Sequence, residues 1–305
     1  MPFLSAFRLC CVASLLSALI APAIAQDGDF GAMLREKFPG VNFQTGPMTA
    51  SLGNAAEIAV PKGFWFVPQG SLRQFNDAMQ NDTSSNDLGI ILSGPETGGF
   101  WFVTFSFQDS GYVKDDDKDQ INATFADNAM KAFREGQEQD NAQRRQRGWG
   151  ELTLTGWEPA PFYDPQTNNL TWGLVVEEKN AQPGAGGEAT INYQSRLLGR
   201  RGYMSATLVM GRDQAAEAIP AYKKLLTGYQ FKAGQKYAEF QSGDKIAEYG
   251  LTALVGAGAL AVAAKTGLLG KLIKPLIVGV LVLGGLVSKF FGSIFGRGKD
   301  PQTDA

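Results

Sequence analysis

Apolar positions along the chain fall into three regimes, and each predicts a different kind of segment. Leu9 to Ile20 is an apolar stretch of twelve, preceded by a single positive charge at Arg8 and followed by Ala23-Ile24-Ala25. That is the pattern of a secretory signal cleaved before Gln26. The stretch is short against the roughly 20 residues of a spanning helix. At the other end, Ala247 to Ala264 runs eighteen residues with one charge, Glu248, and a second apolar run covers Pro275 to Phe295, broken by Ser288 and Lys289. At about 1.5 Å per residue the first run nearly crosses a hydrocarbon core. The reading is a membrane anchor over 246–296, as two helices, with a polar tail at 297–305.

Between these ends the periodicity is that of a folded domain over 26–245. Leu52 to Val67 reads as extended chain with a turn at Pro61 and Gly63, and Ser71 stands where it would cap a short helix bearing Leu72, Phe75 and Met79. Leu88 to Leu92 and Gly99 to Phe107 follow as strands, the second apolar on both faces and therefore central. Further strands are predicted at Glu151 to Glu158, Leu170 to Glu178, Ala189 to Leu198 and Tyr203 to Met210, the last two joined by the hairpin loop Gly199-Arg200-Arg201-Gly202. A helix over Gln214 to Leu226 and a strand over Tyr229 to Phe231 close the domain. The order predicts an α+β fold, a mainly antiparallel sheet packed with helices.

The longest helix is predicted from the acidic run Asp115-Asp116-Asp117-Lys118-Asp119 to Arg144-Arg145-Gln146-Arg147-Gly148. An acidic start and a basic end both suit the helix dipole, and Gly148 suits a left-handed stop. Ile121, Phe125, Ala129 and Ala132 line one face; beyond Gly136 the pattern is polar all round, which predicts a second half projecting into solvent.

Composition narrows the chemistry. The chain has no histidine, and its two cysteines, Cys10 and Cys11, lie inside the signal. The commonest general base, thiol catalysis and thiolate metal sites are thereby removed. Of the chain's 30 acidic residues, 28 lie between Gln26 and Tyr249 against 21 basic ones, so the domain is net negative and unsuited to nucleic acid. The C-terminal segment is basic and suits anionic lipid headgroups. With the domain outside the cell membrane, Lys265, Lys271 and Lys274 fall in a short cytoplasmic loop.

No catalytic constellation emerges. Asp115, Asp117 and Asp119 have the spacing that opens a calcium loop, but Gln120 stands at the glycine position and Ala126 at the closing glutamate, so neither a metal nor a cofactor is expected. Gly256 to Ala261 matches a dinucleotide fingerprint without the strand that must precede it. Glu158, Asp164, Glu177 and Glu178 are the carboxylates a hydrolase would draw on, though no spacing makes two of them converge. Arg196, Arg200 and Arg201 around the hairpin are either an anion site or partners of the acidic surface. The binding surface singled out joins Lys114, Asp115, Asp116, Asp117 and Asp119 to Arg200 and Arg201, an acidic loop and a basic turn suited to docking by complementary charge. Ala253, Ala257 and Ala261 make a small-residue stripe on which another helix can pack, giving self-association or an intramolecular hairpin.

Ile58 to Val67, Gly111 to Ala123, Arg144 to Asp164, Ile191 to Ser205 and Phe231 to Leu269 resemble a bacterial family of uncharacterised membrane-anchored proteins with an exported domain of unknown function. The resemblance implies a signal, an extracytoplasmic domain and a C-terminal anchor, and it brings no activity, substrate or cofactor. The expectation is a protein of the bacterial inner membrane with a periplasmic domain, a non-catalytic binding or scaffolding module of the envelope with lipids and an envelope protein as partners. The alternative is a carboxylate-dependent hydrolase of envelope material.

Overall fold

The computed structural model describes residues 26–79, 81–94, 99–179 and 189–255. Among them run the strands β1 (Gln44–Thr45), β2 (Met48–Leu52), β3 (Ala56–Val60), β4 (Phe64–Pro68), β5 (Asp87–Ser93), β6 (Phe102–Gln108), β7 (Leu152–Trp157), β8 (Phe162–Asp164), β9 (Asn169–Glu178), β10 (Thr190–Leu198), β11 (Tyr203–Gly211) and β12 (Tyr229–Phe231). The helices are α1 (Gln26–Lys37), α2 (Leu72–Ala78), α3 (Ala123–Gln146) and α4 (Ala215–Leu226). The class is α+β, as the periodicity predicts. One sheet has the order β1-β4-β5-β6-β11-β10-β9-β7 with β8 also on β9, and a second has the order β12-β3-β2. Every strand pair is antiparallel.

Alternation along the strands divides the core into layers. Phe66, Ile91, Val103, Phe105, Met204 and Leu208 point to one face of the large sheet, where the small sheet and Ala218, Tyr222 and Leu225 of α4 cover them. Trp65, Val67, Ile90, Leu92 and Phe102 point to the other face and are covered by α1 and α2. Farther along that second face, Leu170, Trp172, Leu174 and Val176 of β9 lie under Ala129, Met130 and Phe133 of α3. The turn at Pro61 to Gly63 carries the chain from β3 in the small sheet to β4 in the large one.

Three local expectations change. Ser71 makes no cap bond to α2; its Oγ accepts from the Asn42 amide at 3.1 Å instead. Helix α1 is additional, held by Phe30, Leu34 and Phe38 at spacings of four, with Phe38 stacked on Phe75 at 4.8 Å. Helix α3 starts at Ala123 with Asn122 as its cap, the Asn122 Oδ1 accepting from Phe125 at 3.0 Å, so the acidic run lies ahead of the first turn.

The second half of α3 does not project into solvent. Gln137, Asp140, Asn141 and Arg144 are buried and continue the stripe begun by Ala126, Ala129, Met130 and Phe133. The Gln137 amide donates to Asp140 and Asn141 at 3.4 and 3.2 Å, and the other partners are backbone groups at and beside the edge of the large sheet. Arg134 donates to the Leu154 and Thr155 carbonyls at 3.1 and 3.0 Å, and Arg144 donates to the Gly150 carbonyl at 2.5 Å. Asn141 donates to the Leu152 carbonyl at 2.8 Å and accepts from the Leu152 amide at 2.9 Å. Side chains of α3 thus occupy the positions a further strand would take and close an edge that would otherwise be open to pairing.

The chain also stays on the body beyond residue 245. Ile246 bridges to Tyr112, and Leu251, Leu254 and Val255 are buried with Val113, Leu198 and Tyr203. The hydropathy pattern places these residues at the start of the anchor; here they complete a core cluster. Among the described residues no helix is long and apolar enough to cross a membrane. The expected signal over 1–25 and the apolar sequence after Val255, where the anchor helices are expected, lie outside the described residues.

Candidate functional site

Three segments meet at one end of the large sheet: the loop after β6, the β10–β11 hairpin and the C-terminal stretch 235–255. The Gly111 amide donates to the Arg201 carbonyl at 2.8 Å, which sets the acidic loop beside the arginine turn. The Tyr112 amide donates to the Lys245 carbonyl at 2.8 Å, and Ala247 returns a bond to the Tyr112 carbonyl at 2.9 Å. The Arg200 amide donates to the Gln235 carbonyl at 2.8 Å, and the Tyr237 hydroxyl donates to the Val113 carbonyl at 2.9 Å. Tyr112 is flanked by Tyr237 at 4.4 Å and Phe240 at 4.3 Å between ring centroids. The stretch 235–255 therefore runs as a strap across the two loops.

The singled-out charged residues divide into those that hold the strap and those at its rim. The Asp117 carboxylate accepts from the Leu251 amide at 2.9 Å, the Thr252 amide at 3.0 Å and the Thr252 hydroxyl at 2.6 Å. It caps the turn over Leu251–Val255, satisfying amides at the start of a 3-10 helix as an N-cap side chain does. Arg200 forks onto Asp244, with Nε to Oδ2 and Nη2 to Oδ1 both at 2.7 Å. That bidentate bond, with the Gln241 amide also donating to Oδ2, holds the Asp244 carboxyl at about 2, and the same bond raises Arg200. Asp115 accepts from the Tyr163 hydroxyl at 3.1 Å and lies 3.7 Å from Lys118; burial and then the Asp115 charge push the Tyr163 phenol well up. Lys114, Asp116, Asp119 and Arg201 are exposed around the strap. The acidic loop and the basic turn are neighbours, but Asp117 and Arg200 spend their charges on the strap rather than on each other.

The carboxylates considered for hydrolysis are dispersed. Glu158 is paired with Arg212 at 2.8 Å, and Asp164 accepts from Gln166 at 2.9 Å and Thr167 at 2.8 Å, which fixes the turn between β8 and β9. Glu177 and Glu178 are consecutive on β9 and so point to opposite faces. Among the described residues no three His, Cys, Asp or Glu side chains are grouped to hold a metal ion.

Arg196 is a different matter from its neighbours Arg200 and Arg201. It sits on β10 opposite Ser205 of β11 and Leu170 of β9, and it is 5% exposed. Its Nη2 donates to the Gln194 Oε1 at 2.8 Å, and its guanidinium lies 4.8 Å from the Trp172 ring and 5.8 Å from the Tyr203 ring. Burial depresses its pKa, and the groups that oppose this are the phenols of Tyr203, Tyr222 and Tyr249 rather than any carboxylate. Tyr249 belongs to the strap, so the strap closes over this end of the sheet.

Residues 44–287 match the family model for DUF2167, described as Protein of unknown function. The chain belongs to the DUF2167 family. No curated protein matches it. Among solved structures, the cyanobacterial PsbP protein CyanoP of Synechocystis sp. PCC 6803 is similar at a TM-score of 0.33 and 12% identity, over 63% of this chain and 94% of that one. The Ran-binding protein Mog1p of Saccharomyces cerevisiae is similar at 0.30 and 10% identity, over 66% of this chain and 100% of that one. Likeness at these scores carries no inference about function.

The DUF2167 match leaves out α1 and takes in both loops, the strap and residues beyond it. Of the stretches that carry the sequence resemblance, Gly111 to Ala123 forms the acidic side of the strap junction and Ile191 to Ser205 supplies Arg196 and the arginine turn. Phe231 to Leu269 includes the strap itself. Two features of this end of the sheet escape the sequence pattern. Asp117 reads as one of several helix-start acids, because the amides it binds are 134 and 135 positions away. Arg196 alternates with Tyr193, Ser195 and Leu197 as a solvent-facing residue would, and only the cover over that face reveals its burial.

Proposed function

We propose that this DUF2167 protein is a non-catalytic binding or scaffolding module of the bacterial cell envelope. Its body stands in the periplasm, exported by residues 1–25, and the apolar segments after Val255 hold it in the inner membrane through contacts with lipid. The observation that carries the reading is the seating of the strap: Asp117 takes three hydrogen bonds from Leu251 and Thr252, within the first apolar run and just ahead of the part of it that follows Val255. A body fastened in this way leaves the anchor from a fixed point instead of trailing on a loose linker, which suits a module that must present one surface at one height. The exposed rim of Lys114, Asp116, Asp119 and Arg201 is the surface it presents, and mixed charge there favours an envelope protein of complementary charge.

The test begins with orientation. Protease added to intact spheroplasts should remove the body and leave a protected C-terminal fragment; full protection would overturn the periplasmic placement. Binding is then read by crosslinking in cells. Reversing Asp116 and Asp119 to Lys leaves the strap contacts untouched and should abolish capture of the partner. An unchanged crosslinking profile would remove the rim from the proposal.

A further inference from the structure

We infer that Arg196, Gln194 and Trp172 form a buried binding site for a phosphate-type oxyanion. Arg196 Nε and Nη1, Gln194 Nε2 and Trp172 Nε1 are buried atoms with no hydrogen-bond partner among the described residues, and all four are donors. Gln194 and Arg196 share a face of β10, Gln194 is paired with Trp172 across to β9, and the Arg196 guanidinium lies over the Trp172 ring at 4.8 Å. The four donors therefore belong to one cluster. Its one acceptor named by contact, Gln194 Oε1, is already taken by Arg196 Nη2. A buried cation is ordinarily balanced by a carboxylate, because desolvating it alone is costly. Here the contacts of Arg196 are the Gln194 amide oxygen and the rings of Trp172 and Tyr203, all neutral, so the site offers a positive charge and surplus donors without a carboxylate among these contacts. A compact oxyanion supplies the missing charge and several acceptors together, and a guanidinium fork suits it.

The route in lies under the strap. Tyr249, within electrostatic reach of Arg196, is carried by a segment held through Asp117 and Asp244 rather than by the sheet. The oxyanion can be a free phosphate or a lipid phosphate group. The proposal rests on the binding reading only for the idea that the body receives a ligand, and the spheroplast result is independent of it.

The test uses the full-length mature chain in neutral detergent, titrated with inorganic phosphate and, separately, with dihexanoyl phosphatidylglycerol. Saturating ligand should raise Tm by about 5 °C. A shift with both probes assigns the site to free phosphate, and a shift with the lipid alone assigns it to a headgroup. Arg196→Met should lose the ligand-dependent shift, while its ligand-free Tm is at least that of the unmodified chain, because the unbalanced cation is gone. Trp172→Phe keeps an aromatic face under the Arg196 charge and removes one donor, so it should weaken phosphate binding about five-fold in a folded protein. No shift with either probe, or an equal shift in Arg196→Met, would overturn the site.

Discussion

Asn141 on α3 meets the backbone of Leu152 on β7 with both ends of its side-chain amide, donating at 2.8 Å and accepting at 2.9 Å. The pair reproduces the exchange between residues of neighbouring antiparallel strands, with a side chain standing in for one of them. Asn141→Leu fills the same space and leaves a buried N–H and a buried C=O without partners. The cost should be about 3 kcal/mol, from roughly 1–3 for each unmet group, seen as a lower denaturant midpoint at an unchanged m-value. Restored midpoints in Asn141→Asp would refute the argument, since a carboxylate cannot donate to the Leu152 carbonyl.

Asp117 should govern the strap and little else. Asp117→Ala removes three acceptor contacts to Leu251 and Thr252, bonds to a charged group that are individually worth about 1.5–3 kcal/mol when fully formed. With partial exposure taken into account, local opening of 246–255 should become easier by about 2 kcal/mol, close to 30-fold faster amide exchange there. Exchange in β9 to β11 should be unchanged. Equal acceleration across the sheet would mean that Asp117 supports the whole fold.

The contrast between what could and could not be read from the sequence follows from the range of the interactions. Strands β9 to β11, the turn at Gly199 to Gly202 and strand β12 follow from alternation and one tight turn, both local properties. The second half of α3 was legible only as polar, because hydropathy assigns Gln137, Asp140, Asn141 and Arg144 to water. The backbone partners of Asn141 and Arg144, at Leu152 and Gly150, come from tertiary packing. The acidic loop and the arginine turn are neighbours in space, the Gly111 amide bonding to the Arg201 carbonyl. What each charge binds was not legible, because Asp244 lies 44 positions from Arg200.

The second clasp of the strap sets its acid sensitivity. Asp244 titrates at about 2 in the folded chain against an ordinary 3.8, so the bond to Arg200 favours the folded form fully above pH 4 and is lost as pH falls through 2. Pepsin should leave the Phe240 region intact at pH 4 and cut it near pH 2. In Arg200→Gln the carboxyl returns toward its ordinary value, and cutting should already be evident at pH 4. Identical cleavage profiles for the two chains would show that the strap is held without this pair.

Two glycines separate backbone strain from strap contact. Gly148 has φ of +70° and nothing within 4 Å of an added Cβ, so Gly148→Ala should cost only the left-handed penalty, about 1–2 kcal/mol, spread over global stability. Gly111 has φ of +94°, and a Cβ there would lie 2.8 Å from the Lys245 carbonyl oxygen and 3.0 Å from the Ala247 amide nitrogen. Both neighbours are strap backbone, which can yield only by moving away from the loop. Gly111→Ala should therefore combine the same backbone penalty with displacement of 245–247, and the Tyr112 bonds to Lys245 and Ala247 should go with it. The distinguishing readout is where exchange accelerates. Gly148→Ala should raise it by a uniform factor wherever protection depends on global unfolding, whereas Gly111→Ala should add a further increase confined to 235–255. A uniform factor in both variants would place the strap in the same cooperative unit as the sheet, and the clasp at Asp117 and Asp244 would then be part of the core rather than a separable fastening.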